Sequence, residues 1–172
     1  VATRAAAESL DEILNFLIGA NFFSCCADDV EDFSAQGQDG LALFVAAHLG
    51  AATGRVAPQL LSRWEQALED IALFRFHPVV THGAVNQDSL VVKNQEVIGV
   101  GSWSSLSISD PAEDLRWLAG GALTTTFEDT VLHYRANLPT ADENLALRAQ
   151  LYAELELGNW LVYCLANEAE SE

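Results

Sequence analysis

Apolar residues recur at helical spacing from the start of the chain. Leu10, Ile13, Leu14, Leu17 and Ile18 share one face of a helix predicted over residues 3–19, with Glu8, Asp11 and Glu12 opposite and Gly19 as a stop signal. Residues 21–40 mix Phe22, Phe23 and Phe33 with Asp28, Asp29, Glu31 and Asp32, and predict a partly helical connection. Leu41 to Leu49 reads as a buried helix, after which Gly50, Gly54 and Pro58 punctuate a loop. A further stripe of Leu60, Leu61, Trp64, Leu68, Ile71 and Ala72 predicts an amphipathic helix over 58–74, with Pro58 near its first turn.

The period then changes. Val79-Val80-Thr81, Leu90-Val91-Val92 and Val97-Ile98-Gly99-Val100 are short β-prone runs, and the polar turn Lys93-Asn94-Gln95-Glu96 joins the last two into a predicted hairpin. After Asp110-Pro111 the helical period returns: Ala112 to Leu118, Thr126 to Leu138, and one or two helices within Thr140 to Ala166. The apolar positions of that last stretch are Leu145, Leu151, Leu155, Trp160, Leu161 and Leu165. The pattern predicts an α+β fold, mostly helical, with a small central β-hairpin. No linker, low-complexity run or fixed-period repeat divides residues 1–172, so a single domain is expected.

Charge narrows the partners. The chain carries 25 acidic and 8 basic residues, a formal net charge of -17. Such a surface repels nucleic-acid phosphates and anionic membranes, so neither is an expected partner; the acidity reads first as a solvated surface, and otherwise as a face for a cationic substrate or partner. Adjacent Cys25 and Cys26 with distant Cys164 form neither a disulfide framework nor a zinc pattern, and the adjacent pair reads as packing. Reduced thiols, no basic-then-apolar leader and no span-length apolar run give a cytoplasmic expectation. The chain has no methionine, so it reads as a fragment or a processed product.

The chemistry concentrates in VVTHGAVNQDSLVVKNQEVIGVGSWSSLSISDPAEDLRWL, from Val79 to Leu118. This segment resembles the catalytic core of aminoglycoside phosphotransferases, shared with choline-kinase-like enzymes. That pattern runs His-Gly-Asp, four residues, Asn, a hairpin, Ile-Asp-Trp, Gly-Asp-Pro and Asp-Leu. His82-Gly83 match, Asp114-Leu115 match, and Ser109-Asp110-Pro111 stand for Gly-Asp-Pro. The resemblance implies a protein-kinase-like C-terminal lobe. Nothing before residue 79 reads as the nucleotide-binding N-lobe sheet, and the one lysine, Lys93, lies in the hairpin turn.

Three polar positions depart from the pattern. Ala84 stands for the loop Asp that orients the substrate hydroxyl, Ser89 for the metal-binding Asn, and Ser102, within Gly101-Ser102-Trp103, for the metal-binding Asp. An alanine neither accepts a proton nor binds metal, and magnesium prefers carboxylate oxygen to a neutral hydroxyl. Removing one preorganised charge-stabilising group costs roughly 10²- to 10³-fold. The remnants that a shifted acid–base site would use are His82 and Asp88, with Asp88 and Asp110 as the weak metal candidates. Against that, Asn86 and Asp88 suit local turn bonds, His82 a structural loop role, Asp110 and Asp114 loop support and helix capping, and Trp103 and Trp117 core packing. The four histidines show no metal spacing, and no nucleophile elbow or glycine-rich phosphate loop occurs.

Three functions follow. The preferred one is a pseudo-phosphotransferase lobe, without phosphoryl transfer or cofactor, acting as a binding or regulatory module whose partner is a protein or the missing N-lobe. The alternative is a divergent ATP- and magnesium-dependent phosphotransferase of a small hydroxylated, aminoglycoside-like substrate. The third is a structural interaction domain of a larger protein. In each case residues 82–89 and 102–110 are where a pocket is expected.

Overall fold

The computed structural model of the chain describes residues 55–94, 96–138 and 140–169. The helices predicted at 3–19 and 41–49, the 21–40 connection, Cys25, Cys26 and His48 lie outside these residues.

Helix α1 (Pro58–Glu69) forms on its apolar stripe, with Pro in the first turn and Trp64 and Leu68 buried. It ends five residues before the predicted boundary. The Asp70 carboxylate accepts the Ala72 N–H at 3.0 Å, an Asx turn that competes with the helical bond. Ile71 is therefore turned out to solvent, and Leu73 and Phe74 enter the core in its place.

Strand β1 (Val79–Thr81) pairs antiparallel with β4 (Ser107–Ser109), Val80 opposite Ile108. The hairpin of β2 (Leu90–Lys93) and β3 (Glu96–Val100) forms as expected, with Asn94 at φ 55° in its turn. Asn is among the few side chains that tolerate that left-handed conformation. Helices α2 (Ala112–Gly121), α3 (Thr124–Asn137) and α4 (Leu145–Ala169) complete the described residues, α4 as one continuous helix.

Two clusters share α4 as their common wall. Leu145 and Ala149 join Val79, Leu115, Leu118, Phe127, Val131 and Tyr134, while Leu151 and Leu155 join Trp64, Leu68, Leu73 and Phe74. Truncating a fully enclosed residue such as Leu115 or Leu145 to alanine costs about 2–5 kcal/mol in cores of this kind. Trp160, expected on the apolar stripe of α4, is 67% exposed. Five residues past Leu155 it is rotated by about 140° around the helix, and Leu161, Val162 and Leu165 take the inward side. No helix among the described residues is long and apolar enough to cross a membrane.

Candidate functional site

The loop that follows β1 is held by its backbone. Gly83 adopts φ 76°, and a Cβ there would lie 2.5 Å from the Ser105 carbonyl oxygen, so only glycine fits. This turn presents two consecutive N–H groups to one carboxylate: His82 N donates to Asp114 Oδ2 and Gly83 N to Asp114 Oδ1, each at 2.8 Å. Asp114 stands in the first turn of α2 and is 3% exposed. Burial pushes its carboxyl above the usual value, against the pull of the two N–H groups. Arg116, one turn edge further, donates to the Gly83 carbonyl at 3.3 Å and pairs with Glu156 of α4 at 3.1 Å.

The His82 ring is fully buried. Its Nε2 lies 2.7 Å from the Gly101 carbonyl, which can only accept, so Nε2 carries the proton. Nδ1 then accepts the Ala84 N–H at 3.3 Å. Trp103 stacks against this ring at 4.5 Å between centroids and donates Nε1–H to the Val100 carbonyl at 2.8 Å. Both ring nitrogens are thus engaged, and no contact joins His82 to Asp88.

Ser89 closes the loop at its other end. Asn86 caps the short 3₁₀ turn Gln87–Ser89, its Oδ1 accepting from Asp88 N at 2.8 Å and Ser89 N at 3.2 Å. In return Ser89 Oγ accepts from Asn86 N at 3.1 Å and donates to Asn86 O at 2.7 Å. The Gly101 N–H donates to Ser89 O at 2.7 Å. Together with the His82–Gly101 bond, this draws the Ala84, Ser89 and Ser102 segments into one place. Ser102 itself is exposed, with φ 63° and ψ 44°. That left-handed conformation is several-fold enriched in Asn and Asp and uncommon for Ser.

Asp110 is committed elsewhere. Arg148 grips it with Nε at 2.6 Å from Oδ2 and Nη2 at 3.0 Å from Oδ1. Ala112 N and the Tyr152 hydroxyl complete its bonds at 2.9 and 2.7 Å. The rest of the guanidinium takes both Asp142 oxygens, at 2.7 and 2.8 Å, and the Leu73 carbonyl at 2.8 Å, and lies over the Phe76 ring. Burial works against the Arg148 charge, but the hydrogen bonds of Asp142 and Asp110 outweigh it and hold the guanidinium above its usual value. Arg148, Arg116 and Tyr152 were not singled out from sequence. The available signal was Arg148 on the same helical face as Leu145 and Leu155, where a charge requires a buried partner.

The donors near the loop fit a magnesium ion poorly. Ala84 offers no side-chain oxygen, Ser89 Oγ is bonded to Asn86, Asp110 is saturated by Arg148, Tyr152 and Ala112 N, and both oxygens of buried Asp114 already accept backbone N–H groups. Asp88 and Ser102, both exposed, remain. A cleft of about 490 Å³ opens beside the loop, between Asn86, Gln87 and Asp88 on one side and Trp117, Leu118, Gly121 and Ala122 on the other. It adjoins residues 86–88 only; residues 102–110 do not line it. Trp117 packs on Val85 and on the α2 core as well as lining this cleft.

No family profile matches the chain, and no curated protein matches it. Solved structures do. The macrolide 2'-phosphotransferase MphH of Brachybacterium faecium, as apoenzyme, is 24% identical with a TM-score of 0.68, over 94% of this chain and 54% of that one. A macrolide 2'-phosphotransferase type I is 18% identical with a TM-score of 0.74, over 92% and 54%. The gentamicin complex of APH(2")-IIa is 14% identical with a TM-score of 0.63, over 97% and 57%. The chain spans about half the length of the structures it matches, and it has the fold of the kinase-like C-terminal lobe of the macrolide and aminoglycoside phosphotransferases.

Proposed function

We propose that this chain is a phosphotransferase-fold lobe that has lost phosphoryl transfer and serves as a binding or regulatory module. One observation carries the reading: the loop framework is in place, whereas the motif's side-chain oxygens are absent at Ala84, already bonded at Ser89 and reduced to one exposed neutral hydroxyl at Ser102. His82, Gly83 and Asp114 keep the loop in shape. Ala84 supplies nothing to it, and Ser89 Oγ is closed into the Asn86 box. In this chemistry positioning and charge stabilisation are nearly the whole of catalysis, so a frame without its charges has little left to accelerate. The reading takes 1–172 as one C-terminal-lobe domain in a cytoplasmic setting, with no cofactor of its own.

Its partner surface would be apolar. Val91, Val92 and Ile98 of the hairpin are each at least half exposed, as are Leu157, Trp160 and Tyr163 along α4. The chain spans about half of its structural neighbours, which supports a second lobe, or a partner protein in its place, against the hairpin face.

Asp88 favours the second reading, an active and divergent phosphotransferase. Its exposed carboxylate lines the cleft beside the loop, where it could recruit magnesium for ATP. The acceptor would then be a small hydroxylated molecule of the macrolide or aminoglycoside kind. The discriminating experiment is a phosphoryl-transfer assay with magnesium, ATP and a panel of both acceptor kinds, run on the whole protein with whatever sequence precedes or follows the chain in it. The first reading expects turnover no faster than the uncatalysed background. Turnover that disappears in Asp88→Asn would establish the second.

A further inference from the structure

The buried Arg148 clasp and the His82–Ala84 loop have no residue in common, yet hydrogen bonds at either end of the first turn of α2 link them through that turn. Arg148 fixes Asp110. Asp110 Oδ1 accepts from Ala112 N at 2.9 Å and its carbonyl accepts from Glu113 N at 3.0 Å, which seats the first turn of α2. In that turn Asp114 takes the His82 and Gly83 N–H groups at 2.8 Å. A second strut runs from Glu156 of α4 through Arg116 to the Gly83 carbonyl. Both therefore start on α4 and end on adjoining peptide units, one strut buried and the other half-exposed. The loop is also tied to the Gly101 carbonyl through His82 Nε2 and packs on the Trp103 ring. Within the buried strut, Asp142 is the one acidic member that reaches solvent, its side chain 21% exposed against 3% for Asp110.

We infer that Arg148 is a positioning residue that sets how readily the His82–Ala84 loop opens, with α2 as the lever between them. Loop and clasp open as one unit, ahead of the α3 residues with which α2 and α4 share a cluster. Weakening the clasp lets the start of α2 shift, and the geometry of Asp114 toward two consecutive N–H groups is lost. Arg148→Lys keeps the charge but removes the planar fork, so it can satisfy one carboxylate and not both.

The test is native-state amide hydrogen exchange on the intact chain and on Arg148→Lys. Thr130 and Val131 of α3 serve as internal references. The His82 and Gly83 amides are expected to exchange at least about tenfold faster relative to those references than in the parent chain. Equal acceleration at all four amides would reduce Arg148 to a global stabiliser and overturn the inference. No acceleration at His82 and Gly83 would overturn it as well. Should Arg148→Lys fail to fold, Asp142→Asn keeps the Arg148–Asp110 pair and loosens only the outer grip. It is then expected to speed His82 and Gly83 selectively by a smaller factor, and unchanged or uniformly raised rates would again sink the idea.

Discussion

Gly83 sits at φ 76° with no room for a side chain, its nearest obstacle a backbone carbonyl rather than a flexible group. Gly83→Ala adds the left-handed penalty of about 1–2 kcal/mol to that clash, and a loss of about 2–4 kcal/mol is expected in urea unfolding. Ser102 poses the opposite case. It holds φ 63°, is exposed, and makes no side-chain capping bond. Relief of its left-handed strain exceeds the extra chain entropy of glycine, so Ser102→Gly should stabilise by about 0.5–1 kcal/mol. A destabilised Ser102→Gly would mean that the hydroxyl makes a contact of consequence. The pattern around His82, Gly83 and Asp114 was legible because glycine, a buried histidine and a helix-start carboxylate each leave a local mark in sequence. Asp110 was harder. Its sequence neighbours suggested a cap or a metal ligand, and the partner that claims it, Arg148, stands 38 residues away.

Among the described residues, elements with their own period were located from sequence, while boundaries and strands that depend on another contact were not. The β2–β3 hairpin and α2 follow from local pattern. Strand β4, Ser107–Ser109, has little β-propensity and exists because β1 offers it a ladder. The end of α1 was set by one Asp70 side-chain bond that outweighed the stripe. The clasp between α2 and α4 shows the same non-local logic in its energetics. Arg148→Met strands the 2% exposed Asp110 without a counter-charge, and thermal or urea unfolding should report a loss of about 3–5 kcal/mol. Arg63, whose pairing with Glu154 is largely exposed, should cost no more than about 1 kcal/mol when truncated to alanine. The clasp also has a pH signature. Burial alone would raise the Asp142 carboxyl, but the Arg148 hydrogen bonds outweigh it and hold the group below its usual value. The unfolded chain then binds the proton more readily. Its stabilisation is complete above the unfolded value of about 3.9 and fades as pH falls through the lower folded value. Asp142→Asn should therefore flatten the acid side of the stability curve below about pH 4, measured by urea unfolding at a series of pH values. An unaltered acid limb would show that Asp142 is not responsible for it.

Across the whole molecule the likeness lies in the fold. The chain matches about half of several phosphotransferases at TM-scores from 0.63 to 0.74 among the three compared, yet at 14–24% identity. Apolar packing and backbone hydrogen bonding hold this chain's frame: α4 between two clusters, Asp114 on the loop, Gly101 bridging His82 and Ser89. The motif resemblance implies that the departures, Ala84, Ser89 and Ser102, fall on side-chain oxygens. Ala84 and Ser102 can change without disturbing the core, because neither is buried in it. This separation is why the fold could be inferred from some forty residues of motif, while partner and ligand could not. The measurement that bears most directly on the proposed loss of catalysis is calorimetric titration of ATP into the whole protein, with and without magnesium. A frame without magnesium-binding oxygens predicts either no binding or binding indifferent to magnesium. Nucleotide binding that requires magnesium would contradict it and point to Asp88 and an active phosphotransferase.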